Sequence, residues 1–231
     1  MGLLALPATS SVAASPQPAS LMVEYTFDAV NTSTVADLTG RGHVLTLSGS
    51  WSIADGVSTP AVAFAPVSLG DSPSRTDLNP GSSEFAYTTV FRLPADTSAL
   101  PDTPNMFQKG FYGDVGQWKM QLKPNPGLIM CRIKGTLSAK LLSSSVVNVD
   151  DGAWHTATCW RTSTAVGVTV DGVTDQVSAN VGDVANGRSL RVGAKSLTAT
   201  TDQFPGIIDY ASMAVGSGAA AASRANAPVI P

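Results

Sequence analysis

The stretch Trp154-His-Thr-Ala-Thr-Cys-Trp-Arg161, followed by Ala165-Val-Gly-Val-Thr-Val-Asp-Gly-Val-Thr-Asp-Gln-Val177, decides the fold. Val166, Val168 and Val170 alternate with Gly167 and Thr169, so one face of an extended segment is apolar and the other small or polar. Asp171-Gly172 supplies two residues that accept positive φ at the centre of a tight turn, and Val173 to Val177 returns as a second strand. This period of two around Asp-Gly reads as an antiparallel hairpin.

The same alternation extends outward in both directions. It recurs from Leu21 to Phe27, Val44 to Leu47, Ala61 to Phe64, Phe85 to Leu93, Trp118 to Leu122, Leu128 to Ile133, Leu190 to Val192 and Gly206 to Val215, with Gly, Pro, Asp or Asn between runs. Asp28 opens a loop that passes Asn31 and closes at Asp37-Leu-Thr-Gly40. With no helical period, repeat or internal linker, the pattern predicts an all-β protein: a two-sheet antiparallel β-sandwich of jelly-roll type, one domain over residues 21–216. Residues 1–20 are Ala, Ser and Pro-rich and reach Val12-Ala-Ala14, a small-residue cleavage pattern without a basic n-region, so they read as a truncated signal or a disordered leader. Residues 217–231 read as a flexible tail with at most one helical turn.

Only 13% of the 231 residues are charged, while small and β-branched residues dominate, which suits sheet surfaces. Fifteen of the seventeen acidic residues are Asp, most beside Gly, Ser, Thr or Pro, where Asp caps turns or binds calcium. A net charge of −3, a pI near 5.2 and the lack of a basic run argue against nucleic acid as a partner. No apolar stretch approaches the roughly 20 residues of a membrane span. Cys131 and Cys159 both lie in predicted strands; in a chain with secretory features they suggest one disulfide, two buried free thiols being the alternative.

At this point the chain resembles a known family. Asp150-Asp-Gly-Ala-Trp-His-Thr-Ala-Thr-Cys159 leading to Val-Gly-Val-Thr-Val-Asp-Gly172, the closing Phe204-Pro-Gly-Ile-Ile-Asp209, and the opening Tyr25-Thr-Phe-Asp28 with Asp37-Leu-Thr-Gly-Arg-Gly42 are similar to the laminin-G-like pattern within the concanavalin-A-like sandwiches. The resemblance covers about residues 22 to 215 and implies a jelly roll. It also implies a Cys131–Cys159 bridge of the kind found in secreted actinobacterial members. That fold hosts lectins, enzymes and inert spacers, so function must be argued from sites.

In calcium-binding members the matching loops converge on one ion, which implies Asp28, Asp37 and Asp209 as ligands with carbonyls of Gly40 and Arg41 completing the shell of a structural calcium. Arg41 and His43 depart from the small polar residues common there. For a glycan, the candidate groups are aromatic faces with polar neighbours: Tyr112, Trp118, Gln121, Arg132 and Trp160, with Lys119 close by. Catalytic groups are sparse. Glu24 and Glu84 have no Asp two residues away, His43 and His155 are the only histidines, and no nucleophile motif is present. The sequence therefore predicts a secreted, non-catalytic module binding carbohydrate or a cell-surface component. A structural or protein-interaction domain, and then a carbohydrate-active enzyme, are the alternatives.

Overall fold

Alternating side chains need two apolar faces to bury against each other, and the chain satisfies this with two antiparallel layers. The computed structural model describes residues 17–144, 146–199 and 201–231; residues 1–16, most of the expected leader, lie outside them. The first layer holds β10 (Ala139–Ser143), β9 (Leu128–Lys134), β8 (Gln117–Lys123), β7 (Asn105–Lys109) and β14 (Leu190–Val192), in that order. The second runs β15 (Ile207–Val215), β6 (Phe85–Arg92), β11 (Trp154–Arg161), β12 (Ala165–Val170) and β13 (Val173–Ser178), with β1 (Ser20–Tyr25) on the free side of β15. The long β5 (Pro60–Ser72) joins the layers. Val62 and Ala63 pair with β15, Gly70 to Ser72 pair with β14, and Val67 between them takes φ 63°. β4 (Leu45–Asp55) pairs along β5, and the short β2 (Val30–Asn31) and β3 (Thr34–Val35) extend from it.

The fold is thus the all-β antiparallel sandwich expected. β12 and β13 form the hairpin, with Asp171 at φ 47° and Gly172 at φ 85°. Gly167 is required by its neighbour, because a Cβ there would lie 2.0 Å from the Trp160 ring.

Between the layers sit Trp118, Phe107, Tyr87 and Phe85, all fully buried. The Tyr87 and Trp118 ring centres are 4.4 Å apart, and Phe107 meets Trp118 edge-on at 5.2 Å. The Tyr87 hydroxyl donates across the core to the Lys119 carbonyl, 3.1 Å away. Cys131 on β9 and Cys159 on β11 form a disulfide with their Cα atoms 5.6 Å apart. The sequence placed both cysteines in strands that a sandwich could set side by side. They instead belong to opposite layers, so the bond crosses the core.

The segment after Val215 corrects the expected flexible tail. α1 (Ala219–Ala222) packs on the second layer. Ser223 is fully buried there; its hydroxyl is 2.8 Å from that of Thr88 and its carbonyl accepts from the Ser212 hydroxyl. Asn226 donates to Glu24 at 3.0 Å. Small Ala and Ser side chains allow this close approach.

Candidate ligand-binding face

A strand row places side chains in register on one face, and the outer face of the first layer carries one continuous polar row. Arg132 lies opposite Lys119, Lys119 opposite Gln108, Gln108 opposite Arg191, and Arg191 opposite Asp71. The intervening positions Trp118, Met120, Phe107 and Cys131 point into the core. Burial of the apolar set therefore forces the polar set outward onto the opposite surface.

The loop between β7 and β8 forms one wall over this row. It is tied down by the Phe111 amide donating to Asp114 (2.9 Å), by Gln117 donating to the Tyr112 carbonyl (2.6 Å) and by Lys134 donating to the Gly113 carbonyl (2.9 Å). Tyr112 stands out at 69% exposure. The Arg132 guanidinium lies 4.1 Å from its ring centre and the Lys119 ammonium 5.7 Å. Lys195, Ser196 and Asp202 make the other wall. Together with Gln108, Phe111, Tyr112, Gly113 and Lys119 they enclose a cleft of about 320 Å³. Burial pushes the Lys119 ammonium down to about 8; Asp202 opposes the shift, and Arg132 and Lys195 add to it.

The expected ligand residues do not all meet here. Tyr112 and Lys119 line the cleft, and Arg132 lies beside it, against the Tyr112 ring and across from Lys119. Gln121 lies on the same face one row along and donates to the Thr103 carbonyl and hydroxyl, each at 3.2 Å. Trp118 is corrected from ligand contact to core, because it alternates with Lys119 and Gln121 and is fully buried. Trp160 is on the outer face of the other layer, half-buried beside Gly218, Ala219 and Ala220, with its Nε1 donating to the Thr169 hydroxyl at 3.3 Å. It is therefore remote from Tyr112 in the fold. Gln108, Lys195, Ser196 and Asp202 were not singled out by sequence, since the last three arrive from a loop 70 or more residues away along the chain.

The expected metal ligands fall into two groups. Asp37 spends its carboxylate on its own loop, accepting from the amides of Glu24, Thr39 and His43 and from the Thr39 hydroxyl. Gly40, at φ 74°, shapes that loop, and the Arg41 side chain turns back to donate to the Leu21 carbonyl at 3.0 Å. Asp28 and Asp209 flank a different loop: Asp28 accepts from the Thr59 hydroxyl at 2.5 Å, and Asp209 from the Val57 amide at 3.4 Å. The other Asp209 oxygen is buried without a partner. Burial, with a contribution from Asp28, pushes the Asp209 carboxyl up to about 6 despite the Val57 hydrogen bond.

The two histidines are held by carboxylates. Both His155 ring nitrogens are engaged, by Asp171 at 2.6 Å and Asp151 at 3.0 Å, and the residue is 5% exposed. Burial alone would lower its pKa, but the two carboxylates outweigh it and the net direction is up. The ring is thus packed and hydrogen-bonded within the fold. His43 is buried, with Nε2 3.1 Å from Asp77.

No protein-family model matches the chain, and no curated protein does. Solved structures share its fold. The binding domain of Paraclostridial Mosquitocidal Protein 1 is similar with a TM-score of 0.66 and 17% identity, covering 84% of this chain and 48% of that one. Domain 4 of AbnA, a GH43 extracellular arabinanase from Geobacillus stearothermophilus solved in complex with arabinotriose, is similar with a TM-score of 0.63 and 19% identity, covering 87% and 94%. The receptor binding domain of botulinum neurotoxin D follows with a TM-score of 0.61 and 9% identity, covering 84% and 48%. The chain spans about half the length of these toxin domains and nearly all of the arabinanase domain.

Proposed function

We propose that the chain is a non-catalytic binding module of laminin-G-like type that acts outside the cell and holds a glycan in the cleft beside Tyr112. The observation that carries this reading is Tyr112 itself: an aromatic ring left 69% exposed on an anchored loop, over a row of polar side chains. An exposed ring offers a flat apolar face to the C–H face of a sugar, while Gln108, Lys119 and Ser196 can fix hydroxyl groups. The similar fold of an arabinanase domain solved with arabinotriose, and of toxin binding domains, supports a binding role. A cell-surface glycoprotein would present the same sugars. Tyr112→Ala is expected to weaken glycan binding about tenfold or more, as removal of a central aromatic anchor does, with an unchanged unfolding midpoint. Unchanged affinity for an array-selected glycan would remove the cleft from consideration.

A structural calcium forms the second part of the proposal, with Asp28 and Asp209 as its protein carboxylates and loop carbonyls of Gly56–Thr59 as neutral ligands. The unpartnered buried Asp209 oxygen supports it, because two neighbouring carboxylates without a counter-ion cost stability that a hard cation recovers. Gly56 keeps the approach open: a Cβ there would lie 2.2 Å from that oxygen. Asp37, Gly40 and Arg41 already serve their own loop and are left out of this ligand set. Calcium at about a hundredfold over its Kd would then raise the unfolding midpoint by roughly 5–10 °C. Asp209→Ala should abolish the rise, and an unmoved wild-type midpoint at millimolar calcium would end the metal proposal.

A further inference from the structure

Most cations around the outer face of the first layer are already answered. Arg188 is paired with Asp114 at 3.0 Å, Arg191 with Asp71 at 2.9 Å and Lys195 with Asp202, while Lys134 is committed to the Gly113 carbonyl. Lys119 and Arg132, cross-strand neighbours in the middle of the same row, are different. Among the described residues they meet the Tyr112 ring, but neither donates a hydrogen bond to a protein acceptor. Lys119 is only 5% exposed, and the Arg132 Nε is buried and unpartnered. Gln108, on the other side of Lys119, is 1% exposed with its Oε1 also unpartnered.

A nearly buried ammonium beside a guanidinium is unfavourable in a resting protein. Neither is hydrogen-bonded to a counter-charge, Asp202 acting on Lys119 only through space, and the two cations repel one another. The depressed Lys119 pKa, caused first by burial, is the same cost expressed as a titration. The carboxylate that lines the cleft, Asp202, is already paired with Lys195. Such an arrangement is relieved by an anion that enters from outside. The guanidinium fork matches the two oxygens of a carboxylate, and the ammonium adds a point charge beside it.

We infer that the cleft recognises a carboxylate-bearing sugar, a uronic acid residue within an oligosaccharide, with its carboxylate on Lys119 and Arg132 and its ring against Tyr112. The inference rests on the glycan reading above and specifies the ligand class. Gln108 lies within the same row to take a ring hydroxyl, its free Oε1 accepting. Asp202, held by Lys195, marks the side of the cleft where a second negative charge is unwelcome.

The test is calorimetric titration of the full chain with oligosaccharides of galacturonate, guluronate and glucuronate, each beside its methyl ester, together with arabinotriose as a neutral probe. Lys119→Met, Arg132→Gln and Tyr112→Ala are run in parallel, with unfolding midpoints recorded. At least one acidic oligosaccharide should bind, and its ester should bind about tenfold or more weakly, the loss expected for a charge-assisted contact. Lys119→Met and Arg132→Gln should weaken the acid by a similar factor and leave the ester unchanged. Lys119→Met should unfold at the same temperature or higher, since it removes a desolvated charge from a site evolved to bind rather than to stabilise. Should neutral probe and esters bind as well as the acids, losing affinity only in Tyr112→Ala, the carboxylate inference falls while the glycan cleft stands. If no saccharide binds, both fall.

Discussion

Replacing Cys131 and Cys159 together by Ser is expected to lower the unfolding free energy by about 3–4 kcal/mol, the entropy released when a cross-link closing 28 residues is removed. For a domain of this size that corresponds to a midpoint fall of roughly 10 °C. The effect is large because of where the bond lies. β9 and β11 share no ladder, so the layers are otherwise held together by side-chain contacts, the Tyr87–Lys119 hydrogen bond among them, and by the crossing of β5. Calorimetry of the double variant, and of the wild type with and without reductant, measures it. A change below about 1 kcal/mol would mean that core packing already fixes the layers, and that the bond adds little constraint to the unfolded chain.

Trp118→Ala should cost about 3–5 kcal/mol, as truncation of a large core aromatic does. Three fully buried rings, Phe85, Tyr87 and Phe107, pack around Trp118, and a void there would strip contacts from all of them. Denaturant unfolding of this variant provides the number. The informative contrast is with Tyr112→Ala, which should leave stability alone and remove binding. If Trp118→Ala instead left stability intact and abolished ligand binding, the assignment of inner and outer faces of β8 would be reversed, and the candidate site with it.

These two aromatics also show how far sequence alone reaches. Trp118-Lys-Met-Gln-Leu122 alternates so that Trp118, Met120 and Leu122 form one face and Lys119 and Gln121 the other. Trp118 and Gln121 could therefore never serve one outer surface, and the pattern contained the correction. The β12–β13 hairpin was legible because valines and Asp-Gly act locally. β7 was not, because Asn105 to Lys109 is buried at every position, so no polar face breaks its pattern. The edge strand β10 was missed for the opposite reason, Ala139 to Ser143 being partly or wholly exposed throughout.

The cleft itself is a product of topology. β14 inserts between β7 and β5, which carries Lys195, Ser196 and Asp202 to the far side of Gln108 and Lys119. No local signal announces that meeting. Likewise, Asp28 and Asp209 come together at the two ends of the chain while Asp37, which shares their motif, is consumed by backbone amides of its own loop. The tail was misjudged because Ala and Ser are as common in linkers as in close-packed contacts; only the buried Ser223 and its partners on β6 and β15 distinguish the two.

The proposed binding site lies on the outer face of the first layer, at Tyr112. The most direct measurement is a backbone amide titration by nuclear magnetic resonance with an acidic oligosaccharide found to bind. Shifts are expected to concentrate at Gln108, Tyr112, Gly113, Lys119, Arg132 and Ser196, with the Trp160 side and the Asp28 and Asp209 loops unmoved. Shifts clustered instead around Trp160 and α1, or along the Gly56–Thr59 loop, would contradict this placement and relocate the site.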